Sequence, residues 1–156
     1  MGFQVAALQA VMAEQSGGDT LHNALGIMPF GHKGPAAKES QRQTDVAKRV
    51  QQWHWLFIDE ISMVSARLLA QLDVKLRSTI REIGTYKIGT DQHDLPFGGL
   101  NVLLVGDFWQ LEPPEGGFLG AIPHDYIIAA RKYAPAPTIC HGQSLIWGCL
   151  LCSSDP

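Results

Sequence analysis

The sequence predicts an α/β fold built on a parallel sheet with flanking helices, and three observations carry that prediction. The apolar run Trp55–Ile58 shows no alternation and stops on Asp59 and Glu60, as suits a central strand covered on both faces. A second run, "LNVLLVGD", ends the same way on Gly106 and Asp107. Between them Val64, Leu68, Leu72, Leu76 and Ile80 recur every four residues, the stripe of a helix long enough to cross over between parallel strands.

The elements follow in order. "FQVAAL" reads as a short first strand, and "QAVMAEQ" as a helix that Gly17 and Gly18 break in the turn "SGGDT". "TLHNALGI" returns to apolar spacing, and "MPFGHKGPAAKESQRQTD" has the Gly, Pro and polar content of a loop. "DVAKRVQQW" is a short amphipathic helix, with Val46 and Val50 four apart, leading into the strand at Trp55. Ser62 or Ser65 can cap the long helix, whose stripe Leu69 widens and whose Arg67, Gln71, Lys75 and Ser78 form a solvated face. "GTYKIGTDQHDLPFGG" is a second loop before the second apolar strand.

Composition bounds the class. With 156 residues, 46% hydrophobic and 17% charged, the chain has the make-up of one globular domain with a sizeable core. A net charge of −3 provides no global basic field, so any contact with nucleic acid needs a local patch. No run approaches the roughly 20 apolar residues of a membrane span, and Ala6 stands where a myristoylation signal needs Ser or Thr. An intracellular protein without a membrane partner is expected. Cys140, Cys149 and Cys152 are too few and too clustered for a disulfide scaffold, and "CxxC" with Cys140-His141 upstream matches no standard zinc spacing.

In open parallel sheets ligands sit beyond the carboxyl ends of the strands, so Asp59, Glu60, Asp107 and Gln110 should converge if the two strands are neighbours. Phosphate chemistry uses such a set: a carboxylate near Mg²⁺ (Asp59), a second to orient or deprotonate water (Glu60), and an amide that senses a terminal phosphate (Gln110). Carboxylates at strand ends are also ordinary caps and solvated turns. What tells against that plainer reading is the order hhhhDE, then about forty residues, then hhhhGDxxQ.

Three segments carry a family resemblance. "GGDTLHNALGI", "LFIDEISMVSARLLAQLDVKLR" and "LPFGGLNVLLVGDFWQLEPPEGG" resemble motifs Ia, II and III of the Pif-one-like (petite integration frequency) DNA helicases of superfamily 1, over about residues 4 to 118 and on to "HGQSLIWG". The resemblance implies part of the first RecA-like P-loop NTPase motor domain over 1–148, with 149–156 a tail outside the family. It implies ATP hydrolysis coupled to 5′–3′ translocation on single-stranded DNA and unwinding of duplex DNA. ATP and Mg²⁺ are the implied cofactors. The settings it implies are DNA repair, recombination and telomere maintenance by a monomer in the nucleus or mitochondrion.

Site roles carry over residue by residue. Asp59 and Glu60 match the Walker B pair, with Asp59 reaching the metal through water; Asp107 is a further nucleotide-site carboxylate and Gln110 the motif III glutamine. Thr20, Leu21 and His22 match the strand-contacting motif Ia. Phe108 and Trp109 are aromatics that can stack on a base or pack within the domain.

Two departures qualify the likeness. Leu111-Glu112-Pro113-Pro114 stands where the family writes "QLPP", and no GxxxxGK[ST] is present, so the backbone nest and lysine that hold the β- and γ-phosphates are absent from these residues. In relatives that loop lies upstream of the position where Met1 stands. The expectation is therefore a helicase fragment inactive alone. The alternatives are a non-catalytic DNA-binding or regulatory remnant, and an unrelated Mg²⁺-dependent hydrolase that would leave "GGDTLH" and "PFGG" unexplained.

Overall fold

Four parallel strands form one sheet in the order β2-β1-β3-β4: β1 is Phe3–Ala7, β2 Asp19–Thr20, β3 Trp55–Asp59 and β4 Asn101–Leu104. These belong to a computed structural model that describes residues 2–28, 36–82, 95–113, 117–120 and 136–147. The register sets Phe3 beside Trp55 and Trp55 beside Asn101, and Val105 N donates to Ile58 O at 2.8 Å just past the end of β4. The two apolar runs are thus adjacent parallel strands, as their matching patterns predict. Much of the second predicted loop, and Cys149 and Cys152 of the tail, lie outside the described residues.

Helices α1 (Ala10–Gln15), α2 (Leu21–Ala24), α3 (Ala36–Val50), α4 (Ala66–Glu82) and α5 (Ala136–Trp147) accompany the sheet. The chain divides into two compact units, one of Met1–Glu60 with Leu72–Val105, the other of Ile61–Gln71 with Gly106–Pro156. The first unit holds the sheet. Its core draws on Ala6, Leu56 and Ile58 from the strands, Val46 and Val50 from α3, and Leu72, Leu76 and Ile80 from α4, all buried. Burying a side chain of this size contributes roughly 1.5–3 kcal/mol.

Three expectations are corrected. Residues 36–45, read as loop, form most of α3: Ala, Lys, Glu, Gln and Arg are strong helix formers, and polarity alone hid them. The predicted turn contains a strand, because Asp19 and Thr20 pair with Ala6 and Ala7. Only glycine permits this approach, since a Cβ on Gly18 would lie 2.2 Å from Val5 O. Finally, among the described residues β3 is fully covered on one face only. Leu56 and Ile58 are fully buried, whereas Trp55 and its neighbour Phe3 are 39% and 66% exposed, with Phe57 stacked against Trp55 at 6.2 Å. An unalternating apolar run reports the need for cover, not its presence.

In the second unit, Ser65 caps α4 by accepting from Leu68 N at 3.2 Å, while Ser62, the other candidate, is buried. Ala66 N donates to Gly117 O at 2.9 Å, and Gln143 Nε2 on α5 donates to Phe118 O at 3.1 Å. A Cβ on Gly142 would meet Ala66 O at 1.8 Å, backbone that cannot rotate away. Gly142→Ala is therefore expected to destabilise by about 1–3 kcal/mol or more, as overpacking does, read as a fall in the midpoint of urea denaturation.

Candidate functional site

Asp59 ends β3 and Glu60 follows it, so both stand at the carboxyl edge of the sheet, the ligand-binding side of an open parallel sheet. Asp59 Oδ1 accepts from Glu60 N at 2.9 Å, and Oδ2 accepts from Ser16 Oγ at 3.1 Å. Ser16 is the C-cap of α1 and also lies 2.9 Å from Met12 O. Its single proton serves one acceptor at a time, so the hydroxyl can turn from the carbonyl to the carboxylate.

Glu60 bears two local costs. Its backbone lies at φ 54°, in the left-handed region that non-glycine residues seldom occupy, a strain of order 1–3 kcal/mol. Its Oε2 is buried without a hydrogen-bond partner among the described residues. Orphaned buried acceptors are rare because the lost hydration goes uncompensated. Strain and an unmatched acceptor on one residue mark a position shaped for something other than packing.

The donor set around Asp59 fits Mg²⁺ in part. Carboxylate and hydroxyl oxygens are the hard donors that this ion takes, and Mg²⁺ typically keeps waters and leans on one or two carboxylates plus substrate phosphates. Among the described residues no group of three or more His, Cys, Asp and Glu could hold a metal by itself. The residues present do not fit those phosphates equally well, since the sequence contains no GxxxxGK[ST].

Asp107 and Gln110 lie in the second unit, beyond β4. Asp107 Oδ1 accepts from Trp109 N at 2.9 Å and its carbonyl accepts from Gln110 N at 3.1 Å, an Asx-type turn that holds the loop. Phe108 packs edge-on against Phe118 with centroids 5.9 Å apart, so its ring is engaged within the unit. Trp109 is the opposite case, 97% exposed on the same turn. Gln110 is exposed beside it.

Thr20 and His22 are placed together in the first unit. Thr20 Oγ1 caps the short helix α2 by accepting from Asn23 N at 3.2 Å, and both residues line a cavity of about 530 Å³. Leu21 between them is fully buried and serves the core. No helix among the described residues is long and apolar enough to cross a membrane.

Some residues were not legible as site or framework. Asp73 is fully buried on α4, where Oδ2 accepts from Arg77 Nε at 2.8 Å and Oδ1 from Phe97 N at 2.6 Å. It thereby clamps the turn Pro96–Gly99, in which Phe97 (φ 53°) and Gly98 (φ 66°) are left-handed. The signal was available: a lone acid between Leu69 and Leu76 on an otherwise apolar stripe, with Arg four residues on. Ser16, brought to Asp59 from 43 residues away, had none.

Comparison with known proteins identifies relatives of this chain. A family model described as PIF1-like helicase matches residues 4–116. The ATP-dependent DNA helicase RRM3 of Saccharomyces cerevisiae is 36% identical over 111 residues, which cover 70% of this chain and 14% of that protein. The ATP-dependent DNA helicase PIF1 of the same species is 36% identical over 112 residues, 70% of this chain and 12% of that protein. Among solved structures, Bacteroides Pif1 in complex with ADP-AlF4 is similar over 81% of this chain and 26% of its own, with 31% identity and a TM-score of 0.55. Bacteroides Pif1 bound to single-stranded DNA is similar over 85% of this chain and 27% of its own, with 29% identity and a TM-score of 0.53. The chain thus spans only a small part of the relatives it matches.

Proposed function

The chain belongs to the PIF1-like helicase family, and on that premise we propose that it forms part of the motor domain of an ATP-dependent DNA helicase, carrying the metal and water carboxylates and a strand-contacting segment. The observation that carries this reading is Glu60. A strained residue with a buried, unmatched carboxylate oxygen directly follows Asp59 at the ligand-binding edge of a parallel sheet.

In this reading Asp59 would hold Mg²⁺, which when bound would supply charge neutralisation for a nucleotide's phosphates. Glu60 orients the attacking water and accepts its proton, and Ser16 steadies Asp59. Asp107 shapes the turn that carries Gln110, the motif III glutamine, and the exposed Trp109, which meets DNA. Thr20 and His22 meet the strand. Repair, recombination and telomere maintenance, in nucleus or mitochondrion and as a monomer, are settings we infer from the family resemblance alone.

The second reading is a non-catalytic DNA-binding or regulatory remnant of such a helicase, and no GxxxxGK[ST] stands among these residues. Fluorescence anisotropy with a labelled oligothymidylate at several salt concentrations tests the DNA contact. Binding whose constant falls steeply with salt is expected, because phosphate contacts release counterions; no binding at low salt contradicts it. Trp109→Ala should weaken that binding by about 1–3 kcal/mol, the worth of one base stacked on an aromatic side chain. An unchanged affinity would remove Trp109 from the DNA path.

A further inference from the structure

Ser16 precedes the first of the three family-like segments and belongs to none of them, yet its hydroxyl stands 3.1 Å from Asp59 Oδ2. The backbone fixes its place. Ser16 N donates to Met12 O at 3.0 Å at the end of α1, Gly17 turns left-handed at φ 66°, and Gly18 N returns to Ala13 O at 2.8 Å. Gly18 also lies against the backbone of Val5 in β1, the strand whose Ala7 is paired with Asp59. The end of α1 is thereby anchored beside the metal carboxylate.

This pair of oxygens is open to a cation. Ser16 Oγ has a second acceptor in Met12 O at 2.9 Å, so its proton can rest on that carbonyl while its lone pairs face Asp59. Each Asp59 oxygen accepts one hydrogen bond, from Glu60 N and from Ser16, where a carboxylate oxygen has room for two. Among the described residues the ion pairs join Arg49 to Asp19 and Arg77 to Asp73, and none joins Asp59. The last turn of α1 carries no basic side chain that would offset its carbonyl end.

The spacing suits a small ion. Mg²⁺ holds oxygens at about 2.0–2.1 Å in an octahedron, which sets adjacent ones about 2.9 Å apart, close to the 3.1 Å between Ser16 Oγ and Asp59 Oδ2. We propose that these two oxygens together seat an octahedral divalent cation, Mg²⁺ or Mn²⁺, with Ser16 as a ligand in its own right. Ser16 keeps its proton, turned to Met12 O, and meets the cation as a neutral oxygen. The assignment rests on the reading of Asp59 as the metal carboxylate and adds the oxygen beside it.

Mn²⁺ is the probe, titrated into the intact chain and read by water-proton relaxation, with Mg²⁺ as competitor. Binding that Mg²⁺ displaces and Asp59→Asn abolishes is expected. Ser16→Ala should weaken Mn²⁺ binding by about 10–100-fold, the range for losing a partner of a ligating carboxylate. Ser16→Thr, which keeps the hydroxyl, should retain most of the affinity. Ser16→Cys should lose Mn²⁺ and bind Cd²⁺ more tightly than the intact chain does, because a thiolate is a soft ligand; a residue that only braced the fold would show no such exchange of metals. Ser78→Ala, which removes a hydroxyl bonded to Lys75 O on α4, should leave Mn²⁺ affinity unchanged. If Asp59→Asn abolishes binding while Ser16→Ala and Ser16→Cys keep the parent affinity, the serine assignment fails and the reading of Asp59 stands. Mn²⁺ binding that survives Asp59→Asn overturns both. An intact chain that takes up no Mn²⁺ overturns the two-oxygen seat.

Discussion

Glu60→Gln is expected to lower DNA-stimulated ATP turnover by about 10²–10⁴-fold, the contribution of a positioned general base, in a chimera where residues 4–116 replace the matched segment of a Pif1 helicase. The substitution keeps the size and shape of the side chain and removes its charge and its ability to take a proton. Oligonucleotide affinity should be unchanged, because Glu60 does not line the cavity of Thr20 and His22. Steady-state ATP hydrolysis with and without single-stranded DNA measures the effect. Turnover within a few-fold of the parent chimera would remove Glu60 from catalysis and leave its strained backbone without a functional reason.

The second large effect is structural. Asp73→Ala leaves Phe97 N without its acceptor and Arg77 without its carboxylate, in a site where Asp73 is fully buried. Breaking a buried pair by removing one partner costs about 3–5 kcal/mol, but Arg77 is 22% exposed and water can reach it, so about 2–4 kcal/mol is expected. Against a total stability of roughly 5–15 kcal/mol this is a large share. Thermal denaturation should show a drop of about 5–15 °C at this chain length. Asp73→Asn, which can still accept from Phe97 N, should fall between the parent and Asp73→Ala. Equal loss in both would mean that the charge, and not the turn, matters.

How far the fold was legible follows from what each element depends on. Strands β1, β3 and β4 were legible as apolar runs, and helix α4 because periodicity and burial agree: every residue of the stripe Val64, Leu68, Leu72, Leu76 and Ile80 is buried. The first half of α3 was hidden because a solvated helix and a polar loop share a composition. Strand β2 was hidden because two residues held by pairing with β1 carry no pattern of their own.

The site divides in the same way. Asp59 and Glu60 could be read from their place at the end of an apolar run, since the edge of a parallel sheet follows from local sequence. The contact of Ser16 with Asp59 could not, because it joins residues 43 positions apart. Glu60's left-handed backbone is likewise a property of the folded turn and not of the letters Asp-Glu.

The central claim is our proposal that Asp59 and Glu60 serve a helicase motor as its metal and water carboxylates and depend for turnover on a phosphate-binding GxxxxGK[ST], which is not among these 156 residues. ATP hydrolysis by the isolated 156-residue chain, with Mg²⁺ and saturating single-stranded DNA, tests it most directly. No turnover above the protein-free control is expected, because phosphoryl transfer depends on several positioned groups acting together. DNA-stimulated turnover that Glu60→Gln abolishes would contradict the claim and show that these residues suffice to bind and hydrolyse ATP.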